Sequence, residues 1–136
     1  FFQVQANKKG VQIQVEVDGL NPMVKCAESV LEQILSNLLL NALEAVSKAG
    51  WITMQTRLIP DGDTVMVQVE DSGHGIPDDL MDSIFDPFLS TKEVGKGTGL
   101  GLAIVYGLVQ DVGGRIEVEN TCGACFTVYL PGWREK

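Results

Sequence analysis

Four glycines stand where an apolar helical pattern begins, and that placement raises a chemical question. The stretch VGKGTGLGLAIVYGLV, residues 94–109, has glycine at every second position from Gly95 to Gly101. Glycine costs a helix interior about 1 kcal/mol relative to alanine, so these glycines need another explanation. Backbone N–H groups at a helix N-terminus bind anions, and glycine lets phosphate oxygens approach them closely. The stretch therefore indicates a phosphate-binding loop, with a flexible hinge or lid as the alternative.

Two common phosphate-binding motifs do not fit this stretch. It lacks the GxxxxGK[ST] spacing of a P-loop, and STKEV is a poor strand sequence to precede a dinucleotide-binding fingerprint. Lys92 and Lys96 flank the glycines in a chain that is acidic overall. These lysines could neutralise phosphate charge, or they could be ordinary surface residues.

A second cluster, DSGHGIP at residues 71–77, combines a carboxylate with two glycines. Gly73 and Gly75 permit backbone angles that other residues avoid, or let a ligand approach the main chain. A carboxylate only accepts hydrogen bonds, and adenine presents an amine donor where guanine presents a carbonyl acceptor. A buried Asp71 would therefore favour adenine; an ordinary Asp-Ser-Gly turn is the alternative.

A third cluster is a polar stripe on an otherwise leucine-rich helix. Residues at positions i, i+4, i+8 and i+11 share one helix face, and here they are Gln33, Asn37, Asn41 and Glu44. The amide oxygen of asparagine is a hard, neutral ligand that suits Mg²⁺. The stripe is consistent with a metal and phosphate site, and equally with a plain polar helix face.

The elements that must position these clusters follow from hydrophobic periodicity. The patterns predict strands over 11–17, 51–59, 64–71, 113–120 and 125–131, and helices over 27–48, 79–85 and about 100–112. Hairpins outnumber crossovers in this order. It predicts an α+β fold: a two-layer α/β sandwich whose mixed, mostly antiparallel five-stranded sheet carries three helices on one face.

The bulk properties limit the classes of function. A length of 136 residues predicts one domain over 1–136, and the net charge of −8 argues against nucleic acid as a partner. The sequence shows no signal peptide and no apolar run of the roughly 20 residues that span a bilayer. Because the chain opens on Phe1 rather than Met, we expect it to be a piece of a longer protein.

The three cysteines are Cys26, Cys122 and Cys125, an odd number that favours reduced thiols and a cytosolic compartment. The CGAC stretch at 122–125 has CxxC spacing, but it leads into a strand pattern rather than a helix. A zinc site would need two more ligands, and His74 is the single histidine. A hairpin turn with small apolar residues is therefore preferred over a redox pair or a zinc site.

Taken together, the clusters resemble the ATP-binding catalytic domain of two-component sensor histidine kinases, a branch of the GHKL superfamily. QILSNLLLNALEAV is similar to the N box, DSGHGIP to the first glycine box, IFDPFLSTK to the F box and GKGTGLGLAIV to the second glycine box. The resemblance extends from about Val11 to Pro131. The compact stretch DPFLSTKEVGKGTGLGLAIVYGLV, residues 86–109, is most similar to the nitrogen-regulation type of kinase, which has a short ATP lid.

The resemblance implies a role for each matched residue. Asn41 would hold Mg²⁺ against the ATP phosphates with help from Asn37, Asp71 would bind the adenine amine, and Phe85 and Phe88 would anchor the ATP lid. The remaining implied nucleotide contacts divide between the adenine pocket, with Gly73, Gly75 and Ile76, and the phosphates, with Lys92, Gly97, Thr98, Gly99, Leu100, Gly101 and Leu102. Asn37, Asn41 and Lys92 would be the catalytic residues.

Two residues depart from the family pattern. Ala124 stands where relatives often carry Ser or Thr near adenine, which puts a water-mediated contact in doubt. Glu44 stands where some kinases have Lys, which puts one phosphate contact in doubt.

Asn37 also separates kinase from ATPase chemistry. The gyrase-like and chaperone-like members place a glutamate base one turn before the magnesium asparagine, whereas an amide cannot take a proton from water. The resemblance therefore implies slow hydrolysis and transfer of the γ-phosphate to a histidine on a separate dimerisation domain, with a response regulator downstream. His74 is not expected to be the acceptor. The parent would be a homodimer with this domain in the cytoplasm, membrane-anchored or not. A GHKL-type ATPase and a degenerate partner-binding module are the alternatives.

Overall fold

Five strands form one mixed sheet in the computed structural model, which describes residues 10–17, 28–46, 49–59, 64–85 and 101–131. The strands are β1 (Gln12–Val17), β2 (Trp51–Leu58), β3 (Thr64–Asp71), β4 (Arg115–Asn120) and β5 (Ala124–Pro131). Their order across the sheet is β1-β2-β3-β5-β4. β1 runs parallel to β2, and the other neighbouring pairs are antiparallel. The predicted mixed, mostly antiparallel α+β sheet is confirmed.

Two α-helices and one 3₁₀ helix accompany the sheet in the described part of the chain. α1 spans Glu28–Ala45, α2 spans Gly101–Asp111, and the 3₁₀ helix spans Asp78–Ser83. α1 and α2 pack against each other and against the sheet. None of the described helices is long and apolar enough to cross a bilayer.

The 3₁₀ helix differs from its predicted bounds of 79–85. Its first turn closes through a hydrogen bond from the Leu80 N–H to the Pro77 carbonyl, 3.0 Å long, which is the i→i+3 pattern of a 3₁₀ helix. Pro77 precedes the element with extended backbone angles and fixes where it begins. The element is short, and none of its residues is fully buried.

The core lies between the helices and one face of the sheet. Along β3, residues 65, 67 and 69 point into the core and are valines, in the alternation that a strand imposes. α1 contributes the buried residues Ile34, Leu38 and Ala42. Asp71 occupies the next inward position of β3 and is also buried. The sequence therefore places a carboxylate at a site where the strand pattern calls for an apolar side chain.

Gly107 lies in the interior of α2 on its exposed side, and a Cβ there would meet no described atom within 4 Å. Alanine loses less backbone conformational entropy on folding than glycine does. Gly107→Ala is therefore expected to stabilise the chain by about 0.5–1 kcal/mol. Thermal unfolding should then show a Tm raised by a few degrees. A lower Tm would mean that another part of the protein packs against this side of α2.

Candidate functional site

Asp71 ends β3 with its side chain inside the protein. It is only 1% exposed. Its Oδ1 atom accepts hydrogen bonds from the N–H of Gly73 at 2.8 Å and from the N–H of Ala124 at 3.2 Å. Both donors that the described residues offer this carboxylate go to the same oxygen. The arrangement orients the carboxylate by one oxygen and leaves the other for a further donor.

Burial sets the direction in which the pKa of Asp71 moves. Loss of hydration raises the pKa above its usual value of 3.8, and this effect outweighs the two backbone hydrogen bonds and the nearby His74, which lower it. A ligand that donates a hydrogen bond to the carboxylate would stabilise its charged form. The site therefore favours a donor ligand, such as an amine, over an acceptor.

Two glycines allow the backbone to close around this carboxylate. A Cβ at Gly123 would overlap Asp71 Oδ1 and would lie 2.6 Å from both the carbonyl oxygen of Asp71 and the nitrogen of Gly73. A Cβ at Gly73 would overlap the carbonyl oxygen of Ala45, at the end of α1. The sequence predicts Gly73 as a site residue but not Gly123, because the pattern around Gly123 predicts only a hairpin turn.

The loop after Asp71 is held at two further points. The Trp51 N–H donates to Ser72 Oγ at 2.8 Å, and the Ser72 N–H donates to the Trp51 carbonyl at 3.1 Å. Farther along, the Ile76 N–H donates to Asn120 Oδ1 at 2.9 Å, and Asn120 Nδ2 donates to the Ile76 carbonyl at 2.9 Å. Gly75 lies between these points with φ of 75°, a backbone conformation that favours glycine at this position.

The four residues of the polar stripe on α1 differ in their exposure to solvent. Asn37 and Asn41 are both half-buried, whereas Gln33 and Glu44 are exposed. The Nδ2 atom of Asn37 is buried and has no hydrogen-bond partner among the described residues. A buried donor without a partner costs about 1–3 kcal/mol, so this atom needs an acceptor from outside the described residues.

The helix relates this stripe to the carboxylate. Because Gly73 lies against Ala45, the loop that follows Asp71 meets the end of α1. Asn41 is one turn before Ala45, about 6 Å along the axis, and Asn37 is two turns before it, about 12 Å. The two amides therefore lie along α1 at increasing distance from the end of the helix that meets the loop after Asp71.

The predicted phosphate loop lies mostly outside the described residues. The undescribed residues include Phe88, Lys92, Lys96, Gly97, Thr98, Gly99 and Leu100. Gly101 is the first described residue of α2, and a Cβ on it would meet no described atom within 4 Å. Leu102 is partly buried against the core. Packing within the described chain therefore gives no reason for glycine at 101.

Phe85 packs against two other aromatic rings. Its ring stacks on Tyr106 of α2 with a centroid distance of 5.4 Å, and meets the edge of Phe126 at 6.3 Å. The chain that follows Phe85 therefore starts from a side chain packed against the core.

The two cysteines of the CxxC stretch have different environments. Cys122 is exposed and Cys125 is buried, and both are free thiols. Burial raises the pKa of Cys125 and so disfavours the thiolate that redox and metal chemistry require. No cluster of three metal-ligating side chains occurs in the part of the chain that the structure describes. The backbone of this stretch instead serves Asp71, through the N–H of Ala124 and the bare Cα of Gly123.

Residues 26–134 match the family model described as histidine kinase-, DNA gyrase B-, and HSP90-like ATPase. The chain belongs to this family and is an ATPase-type, ATP-binding domain.

Within the family, the similar proteins are histidine kinases. The sensor kinase CckA of Brucella abortus is 40% identical over 90% of this chain, which spans only 15% of that protein's length. The catalytic domain of the histidine kinase ThkA, solved without nucleotide, superposes with a TM-score of 0.85 at 34% identity, covering 96% of this chain and 86% of that one. The chain is therefore similar to the catalytic portion of longer kinases.

Two further similar structures are complexes. Full-length ShkA, solved in complex with AMPPNP, matches with a TM-score of 0.84 and 33% identity, covering 97% of this chain and 28% of that one. ThkA in complex with the response regulator protein TrrA matches with a TM-score of 0.82 and 30% identity, covering 97% and 37%.

Proposed function

We propose that this chain binds Mg-ATP and donates its γ-phosphate to a histidine on a separate dimerisation domain of a sensor histidine kinase. The observation that carries the proposal is the buried Asp71 carboxylate, oriented through Oδ1 by two backbone donors. Such a carboxylate accepts a hydrogen bond from the amine of adenine and repels the carbonyl of guanine. Gly73, Gly75 and Ile76 would form the rest of the adenine pocket.

The asparagines of α1 fit the phosphate end of the nucleotide. The unpartnered Nδ2 of Asn37 is a donor, which suits a phosphate oxygen rather than a cation. We assign the amide oxygen of Asn41 to Mg²⁺, which prefers oxygen ligands. When bound, Mg²⁺ neutralises charge on the phosphate oxygens. Lys92 and the backbone from Gly97 to Leu102 would hold the phosphates from the other side.

Transfer is favoured over hydrolysis by the side chain at position 37. An amide cannot deprotonate water, so α1 supplies no general base there. In the transfer reaction the bond between the γ-phosphorus and its bridging oxygen breaks, a nitrogen–phosphorus bond forms on the acceptor imidazole, and ADP leaves. The chain's own residues contribute positioning and electrostatic stabilisation, which dominate phosphoryl transfer.

The acceptor and the partners lie on other domains. His74 is in the loop beside Asp71, with its Nδ1 atom 2.6 Å from the Gly75 carbonyl oxygen, so its position suits the adenine end rather than the γ-phosphate. We propose the dimerisation domain of the parent as the phosphate acceptor and a response regulator as the next partner, which the ThkA–TrrA complex supports. The parent would then act as a homodimer, with this domain in the cytoplasm.

The transfer reaction provides the test. With radiolabelled ATP and Mg²⁺, the isolated chain is expected to remain unlabelled, because its single histidine is not the acceptor. Addition of the parent's dimerisation domain should give an acid-labile label on that domain, and replacement of its acceptor histidine should abolish the label. Stable label on the isolated chain, or rapid release of inorganic phosphate without an acceptor, would refute the proposal.

A further inference from the structure

The turn between β4 and β5 contacts the loop after Asp71 through a side chain as well as its backbone. Asn120, the last residue of β4, makes two hydrogen bonds of 2.9 Å with the backbone of Ile76, one accepted and one donated. A single planar amide thus pairs with Ile76 as a neighbouring strand would. Forty-four residues separate the two partners in the sequence, so the contact fixes a long-range distance.

The same side chain limits the backbone just before Ile76. A Cβ at Gly75 would lie 2.9 Å from Asn120 Oδ1, so the amide fits because residue 75 is glycine. Gly75 also has φ of 75°, which turns the chain toward Ile76. Asn120 therefore defines both the position of Ile76 and the path by which the loop reaches it.

We propose that Asn120 is a positioning residue of the adenine loop, which fixes Ile76 at the distance from Asp71 that an adenine base requires. This inference rests on the proposed function, since it names a residue that shapes the same pocket. Asn120 acts through Ile76 rather than by touching the phosphates. Its loss should weaken binding of any adenine nucleotide by the same factor, with or without a γ-phosphate.

The neighbouring residue offers a matched control. Thr121 Oγ1 donates to Glu70 Oε2 at 2.5 Å, so this side chain also links the β4–β5 turn to β3, and it makes no described hydrogen bond to the loop after Asp71. Thr121→Val removes a hydrogen bond of the same turn and keeps the shape of the side chain. A general effect of weakening the turn would appear in both variants, whereas positioning of Ile76 would be lost in one.

The experiment is calorimetric titration of the chain with Mg-ATP and with Mg-ADP. Asn120→Ala is expected to weaken both about five- to tenfold, because two hydrogen bonds to the loop are lost. Thr121→Val should stay within about twofold of the parent, as surface substitutions do. In the transfer assay, Asn120→Ala should raise KM for ATP and leave kcat unchanged, since the phosphate end is intact. The backbone amide resonance of Ile76 should shift in this variant alone.

The outcomes separate this inference from the proposed function. If the unsubstituted chain binds no ATP, the proposed function fails and the positioning role fails with it. If the parent binds ATP and Asn120→Ala binds equally well, or if both variants weaken binding alike, the positioning role alone is overturned. Should Asn120→Ala not fold, Asn120→Asp decides, because it keeps the acceptor for the Ile76 N–H and loses only the donor. At high salt, which screens the added charge, it should weaken both nucleotides by a smaller, equal factor, and parent-like affinity would overturn the role.

Discussion

Replacement of Asp71 by asparagine is expected to weaken Mg-ATP binding by about 1.5–3 kcal/mol, roughly 10- to 150-fold. The variant keeps an oxygen for the Gly73 and Ala124 donors, so the local backbone is retained. It loses the charge-assisted hydrogen bond to adenine, and its new NH₂ group meets the amine of the base as donor against donor. Calorimetric titration with a non-hydrolysable ATP analogue measures the loss, and equal affinity of the two proteins would remove Asp71 from its role.

The same substitution should not cost folding stability at neutral pH. Burial raises the pKa of Asp71 in the folded state above its unfolded value. A group of this kind contributes stability that is present below the unfolded pKa and is lost as the pH rises through the folded pKa. At neutral pH asparagine avoids the cost of the buried charge, so urea unfolding should find Asp71→Asn at least as stable as the parent. Asp111→Asn, at an exposed site, is the control and should change neither affinity nor stability.

The pH dependence of binding follows from the same carboxylate. Protonation removes its capacity to accept strongly, so ATP affinity should fall as the pH drops through the folded-state pKa of Asp71, which lies above 3.8. In Asp71→Asn this component of the pH profile should be missing.

Gly123→Ala is expected to damage both the fold and the site. The added methyl would overlap Asp71 Oδ1, which two backbone N–H groups hold in place, and would press on backbone atoms of Asp71 and Gly73. We expect a loss of at least about 2–3 kcal/mol in the free energy of unfolding, together with loss of ATP binding. Gly107→Ala is the matched control, because the same chemical change there meets no described atom within 4 Å. Parent-like unfolding and binding of Gly123→Ala would show that the carboxylate can move without consequence.

The sequence was sufficient to predict the elements and the residues that lie on them with a regular period. Alternation in β3 predicted the strand that ends at Asp71, and the four-residue spacing of Asn37 and Asn41 predicted their common helix face. Such patterns are local, so they can be read without knowing the topology. The one changed element, the 3₁₀ helix, is short enough that a single proline determines where it begins.

The residues that the sequence did not reveal are those whose role depends on contacts across the fold. Gly123 lies in the β4–β5 turn and Asn120 ends β4, and each meets a partner more than forty residues earlier in the chain. Nothing in the CGAC stretch distinguishes a turn that supports a carboxylate from one that only reverses the chain. Only the register of β5 beside β3, which brings Cys125 opposite Glu70, places this turn over the end of β3.

The packing of Gly123 against the end of β3 also bears on protein engineering. Hairpin tips are ordinarily the places where a fold tolerates added residues, tags or inserted reporters. Here the tip carries Gly123 against a carboxylate and Asn120 against a distant backbone, so lengthening it by one residue would shift both. A fluorescent label is better attached to an exposed side chain of α2 such as Gln110, which changes no chain length.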